Sequence, residues 1–178
     1  MNKVKVAIIG AGKISNTRHI PALKKVKNAT IVGILSNRLD RAKNTAEQHG
    51  IQHYAKVGES QKDYNKLGWF KDVEAVVIGA PPLLHYELVK IALSLGKHTI
   101  VEKPMMMSKS QCDELVALAK KQKKIFYVMH NFQYASKMKK LNQVIESKIH
   151  GEIEAITEVQ FTNHDRRLPE WYNELPMG

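Results

Sequence analysis

Val4-Lys5-Val6-Ala7-Ile8-Ile9-Gly10-Ala11-Gly12-Lys13-Ile14-Ser15 is the stretch that decides the fold. Its first half, 4–9, is β-branched and apolar enough to form a strand buried on both faces. A glycine turn follows, then helical periodicity over 14–26, where Pro21 is expected to kink or interrupt the helix. In a strand–turn–helix unit of this kind the first glycine permits the tight turn and the second lets the backbone approach a pyrophosphate. The helix N-terminus then offers N–H donors and a positive dipole end to the phosphates. Ser15 stands at the third position, where a small residue keeps helix and strand close. Gly10, Gly12, Lys13, Ile14 and Ser15 are therefore candidate cofactor-binding residues.

The same alternation runs on along the chain. Strands are expected at 30–35, 52–55, 73–78, 98–101 and 125–129. Helices are expected at 39–49, ended by Gly50, after 82 with Leu84, Leu88, Ile91, Ala92 and Leu95 on one face, and after Ser108. Ser108 with Gln111 reads as a capping box, and Cys112, Leu115, Val116 and Ala119 as the buried stripe behind it. The segment 60–70 reads as a short helix and a loop. Strands alternating with helices specify an α/β fold, a Rossmann-type doubly wound parallel sheet, over residues 1–130.

Residues 131–178 read differently. A helix over 135–149 would turn Met138, Leu141 and Ile145 inward. From 153 to 161 the odd positions Ile153, Ala155, Thr157, Val159 and Phe161 are mostly apolar, the signature of a half-buried strand. That strand needs a sheet, so this region is expected to be the incomplete start of an α+β second domain. An uncovered strand is expected to be disordered, to aggregate, or to pair with a second copy in a homo-oligomer.

The tip of the second strand bears on cofactor choice. NAD-binding sites carry an acidic residue there for the ribose 2′-hydroxyl. This chain has Ser36-Asn37-Arg38, with Arg41 one turn on. A hydroxyl, an amide and guanidinium groups suit a 2′-phosphate, so the expected cofactor is NADP, with NAD as the alternative.

Composition sets outer bounds. With 43% hydrophobic and 25% charged residues the chain reads as a globular protein. Its single cysteine, Cys112, allows no internal disulfide and fits a reducing, cytoplasmic setting. No apolar run reaches membrane-spanning length, and no metal-ligand spacing occurs. The formal charge of +11 comes largely from lysines such as Lys24-Lys25, Lys120-Lys121, Lys123-Lys124 and Lys139-Lys140, placed near helix ends. There they complement the negative helix terminus. Nothing interleaves them with aromatics, so nucleic acid is not an expected partner.

After the fourth strand comes Ala80-Pro81-Pro82-Leu83-Leu84-His85, after the fifth Glu102-Lys103-Pro104, and after the sixth Asn131-Phe132. With the glycine turn, these motifs resemble the glucose–fructose oxidoreductase, inositol dehydrogenase and rhizopine-catabolism family (Gfo/Idh/MocA). The resemblance implies an NAD(P)-dependent oxidoreductase acting on sugars, cyclitols or related polyols. By it, Lys103 would be catalytic, beside the nicotinamide, where an ammonium can polarise or relay the carbinol proton that accompanies hydride transfer. Glu102 would hold its loop and Pro104 shape it. Ala80, Pro81 and Asn131 would face the cofactor, His85 would either face it or serve the structure, and Arg18, His19, Tyr134 and Trp171 are weaker candidates, the last two as packing residues. Full-length members continue into an Asp-x-Gly-x-His-x-x-Asp helix carrying acid/base groups. This sequence has no positions for that motif, so it is expected to be truncated before it: an inefficient NADP-binding fragment, a non-catalytic module, or half of a split enzyme.

Overall fold

All six apolar runs become strands: β1 (Val4–Ile9), β2 (Ala29–Ser36), β3 (His53–Lys56), β4 (Ala75–Ile78), β5 (His98–Val101) and β6 (Phe126–Val128). They form one sheet in the order β3-β2-β1-β4-β5-β6, with every neighbouring pair parallel. This is the doubly wound Rossmann order. The computed structural model describes residues 2–58 and 60–159. The chain divides into two units at Met129–His130.

Crossover helices in the first unit are α1 (Ile20–Lys24), α2 (Leu39–His49), α3 (Gln61–Lys66), α4 (His85–Ser94) and α5 (Lys109–Lys121). Pro21 shapes the first of them. A continuous α-helix would drive its ring into the carbonyl four residues back. The chain instead widens into a π-helical turn over Ser15–His19, where Ile20 donates to the Ser15 carbonyl, and re-enters α-helix with Pro21 in its first turn. Gly50 ends α2 in the left-handed region, as its position suggests.

The core lies on both sheet faces. Ala7, Ile9, Leu35, Val76, Ile78 and Val101 meet α4 and α5 on one side, while Val6, Ile8, Ile34 and Val77 pack on Ile20 and Ala46 on the other. On α4, Leu88, Ile91 and Ala92 are buried as expected, but Leu84 precedes the helix in a 3-10 turn (Pro82–Leu84) and is exposed. On α5, Leu115 and Ala119 are buried, whereas Val116 faces solvent. Ser108 accepts from the Gln111 N–H at 3.3 Å, the first half of the expected box. A full capping box forms instead at Ser60 and Asp63.

β2 carries a bulge: Val6 pairs with Ile31, Ala7 with Gly33, and Val32 is the extra residue. A methyl group at Gly33 would sit 2.3 Å from Trp69 Cζ3. That indole is already stacked on His53, ring centroids 5.3 Å apart and planes 9° from parallel, so it has little room to yield. Gly33→Ala is expected to destabilise the domain by roughly 1–3 kcal/mol, the usual cost of overpacking. Urea unfolding followed by circular dichroism would check this; an unchanged midpoint would contradict it.

The second unit, taken alone, holds a 3-10 turn (Asn131–Tyr134) and α6 (Ser136–Ser147). Met138 and Ile145 on α6 are half-buried, but Leu141 is exposed, and the helix has no fully buried residue. The strand expected from 153 onward is not formed over residues 153–159, which are all exposed. Alternating apolar residues specify a strand only where a neighbouring sheet edge receives them, and no described segment does so. Phe161 and Trp171 lie outside the described residues.

Candidate functional site

Because every strand is parallel, all their C-terminal ends emerge along one sheet edge. The strand order reverses between β1 and β4, which opens a crevice there. At this point the backbone is packed to contact. Gly10 has φ +111°, and a Cβ on it would lie 2.5 Å from the Gly79 carbonyl oxygen. Gly79 in turn has no room for a side chain: its Cβ would meet Ser15 Oγ at 2.7 Å and His19 Cδ2 at 3.2 Å. The ladder continues past the strand ends, with Gly10 donating to Leu35 and Gly79 to Ile9, each at 2.8 Å.

Gly12 is the opposite case. A Cβ there would touch nothing within 4 Å, so neither crowding nor a positive φ accounts for a glycine at this position. Open space beside the backbone at the head of a helix is the cradle that a pyrophosphate would occupy. Lys13 and Ile14 follow it at the surface. Ser15 is fully buried against Gly79 and has no hydrogen-bond partner among the described residues. It supports the turn by its small size and has no surface to offer a ligand.

Asn16 braces the turn from beneath. Its Nδ2 donates to the Ala11 carbonyl at 3.2 Å and the Gly12 carbonyl at 2.9 Å. That fixes its amide orientation, so His49 Nε2, 3.0 Å from Asn16 Oδ1, must be the donor. Burial, and then the nearby Lys24 ammonium, lower the His49 pKa.

At the tip of β2, Ser36 is buried and its hydroxyl is engaged by Asn37 Oδ1 at 3.3 Å and the Arg38 N–H at 3.4 Å. Asn37, Arg38 and Arg41 are exposed. The sequence reading missed Asp40. Its carboxylate receives both Nε (3.1 Å) and Nη2 of Arg38 in a fork, and this bond holds the Asp40 carboxyl below its usual range. Arg38 thus already has an anionic partner, although an exposed pair of this kind is weak and exchangeable.

The loops after β4 and β5 complete this edge. Ala80 and Pro81 are half-buried. His85 is fully buried, with Nδ1 2.9 Å from the Pro104 carbonyl and Nε2 3.0 Å from the Ala80 carbonyl. A ring with no exposed surface cannot touch a cofactor directly, which corrects the expectation of a contact there. Glu102 lies largely inside, Oε1 3.2 Å from His19 Nε2. The approach is off the ring N–H direction, since Nε2 has no directed hydrogen bond. Burial pushes the Glu102 carboxyl up, but His19 beside it and the Lys103 N–H and charge pull harder, and the net pKa is lowered. Lys103 is exposed; its N–H donates to Glu102 Oε2 at 3.2 Å, and its ammonium makes no ion pair among the described residues. Asn131 belongs to the second unit, where it opens the 3-10 turn.

A parallel sheet of this order with a glycine turn at the switch point is a Rossmann-type dinucleotide-binding domain. The chain belongs to the GFO_IDH_MocA family, an oxidoreductase family with an NAD-binding Rossmann fold, which matches residues 4–130. The dTDP-3,4-didehydro-2,6-dideoxy-alpha-D-glucose 3-reductase of Actinomadura kijaniata is 30% identical over 152 residues, 85% of this chain and 44% of that protein. The trans-1,2-dihydrobenzene-1,2-diol dehydrogenase of Xenopus tropicalis is 33% identical over 119 residues, 66% of this chain and 34% of its own length. Among solved structures, the Actinomadura kijaniata 3-ketoreductase in complex with NADP and TDP-benzene superposes with a TM-score of 0.72 at 27% identity, covering 82% of this chain and 43% of that one. The myo-inositol 2-dehydrogenase of Lactobacillus plantarum shares the fold at a TM-score of 0.72 and 19% identity, over 85% of this chain and 43% of its own. The chain therefore spans less than half the length of these relatives.

Proposed function

We propose that this chain binds NADP across the β1–β4 crevice and forms the dinucleotide-binding half of a sugar or polyol oxidoreductase. The observation that carries the proposal is Gly12, whose missing side chain leaves open space at the head of the first helix. The diphosphate would rest there on backbone N–H groups, with the turn braced by Asn16 and clamped by Gly10 against Gly79. Arg38, Asn37 and Arg41 would receive the 2′-phosphate, with Asp40 giving up its hold on Arg38. Ala80 and Pro81 would line the path toward the nicotinamide. A bound nicotinamide supplies or accepts the hydride. Lys103 would hold the substrate oxygen and move its proton, and the free ammonium beside a loop anchored through Glu102 supports that role. A sugar-like substrate is supported by the printed activity of the Actinomadura kijaniata relative. A cytoplasmic setting is supported by the lone Cys112; no described helix is long and apolar enough to cross a membrane.

The cofactor assignment has a direct test. Saturating NADP is expected to raise the melting temperature more than NAD does, because stabilisation follows affinity. Arg38→Ala should erase the difference while leaving the NAD shift in place. Equal shifts in the unaltered protein would contradict NADP preference.

A further inference from the structure

His85, at the head of α4, is buried without exposed surface, and its two nitrogens reach two different loops. Ala80 follows β4 and leads into Pro81; Pro104 follows β5 and directly succeeds Lys103. Both partners are carbonyl oxygens, acceptors for a ring N–H at either nitrogen.

The glycine turn has its own side-chain brace in Asn16, which His85 does not reach, while the two loops meet the turn only through the Gly79–Ala80 backbone and the Glu102–His19 contact. Asn16 braces one end of the crevice and His85 the other. We infer that His85 is a positioning residue that ties the Ala80–Pro81 loop to the Lys103–Pro104 loop, fixing the nicotinamide end of the crevice by hydrogen bonds other than those that brace the phosphate end. This rests on the dinucleotide reading above. Lys103 is then aimed by a ring that never touches substrate or cofactor.

The test compares the full chain with its His85→Ala variant, using two probes. Adenosine 2′,5′-bisphosphate reports the phosphate and ribose end, and NADPH adds the nicotinamide, whose fluorescence reports its surroundings. The variant is expected to bind adenosine 2′,5′-bisphosphate as the unaltered protein does. It should lose about tenfold in NADPH affinity, the equivalent of one to two hydrogen bonds, and with it the change in nicotinamide emission. Equal loss for both probes would reduce His85 to a general structural residue, and loss for neither would also overturn the inference. If the unaltered protein binds neither probe, the dinucleotide reading itself has failed.

Discussion

Gly10→Ala is expected to destabilise the domain by roughly 2–6 kcal/mol, combining backbone strain with overpacking. The φ of +111° at this position is one that an alanine rarely adopts, and the added methyl would meet the Gly79 carbonyl oxygen at 2.5 Å. Neither partner has an escape. The obstacle is backbone, Gly79 donates to the Ile9 carbonyl one residue away, and its other side is closed by Ser15 and His19. Relief would require β1 and β4 to separate at their C-terminal ends, where the buried core runs through Ile9 and Ile78. Much of the stability of a domain this size would be lost. Urea denaturation followed by circular dichroism would measure it, and a variant within about 0.5 kcal/mol of the parent would show that the junction is looser than described.

Gly12→Ala should behave in the opposite manner. A methyl there meets nothing within 4 Å, so unfolding without ligand is expected to change by no more than about 0.5 kcal/mol. Binding of NADP, however, is expected to weaken by about 100-fold or more, since the methyl fills the space the diphosphate needs and each tenfold is about 1.4 kcal/mol. The comparison separates fold from function within one turn: the first glycine holds the strands, the second admits the ligand. Titration calorimetry on both proteins reads the effect, and equal affinities would remove Gly12 from the site.

The sheet was legible because its strands are continuous apolar runs, and residues 4–9 and 75–78 leave few other ways to bury themselves. Gly10 and Gly12 were legible as a local pattern between strand and helix. Gly79 was not singled out, although it follows β4 as Gly10 follows β1, because its significance depends on β1 and β4 being neighbours. The same holds for His19 and Glu102, which are 83 positions apart in chain order and meet only through that crossover. Asp40 was not singled out although Arg38 and Arg41 on either side of it were, because which charge Arg38 meets is a matter of side-chain geometry. The motif left His85 open between a structural and a cofactor-facing role, because its burial and the orientation of its two nitrogens are tertiary facts. The strand expected at 153–161 is not formed over 153–159. Its alternation is real, but alternation describes what a partner sheet would bury.

The most direct measurement is calorimetric titration of NADP into the folded chain. Saturable binding of one dinucleotide per chain, lost on Gly12→Ala with the fold intact, is the expected result. Correctly folded protein that takes up neither NADP nor NAD would contradict the account, however well its sheet matches those of its relatives.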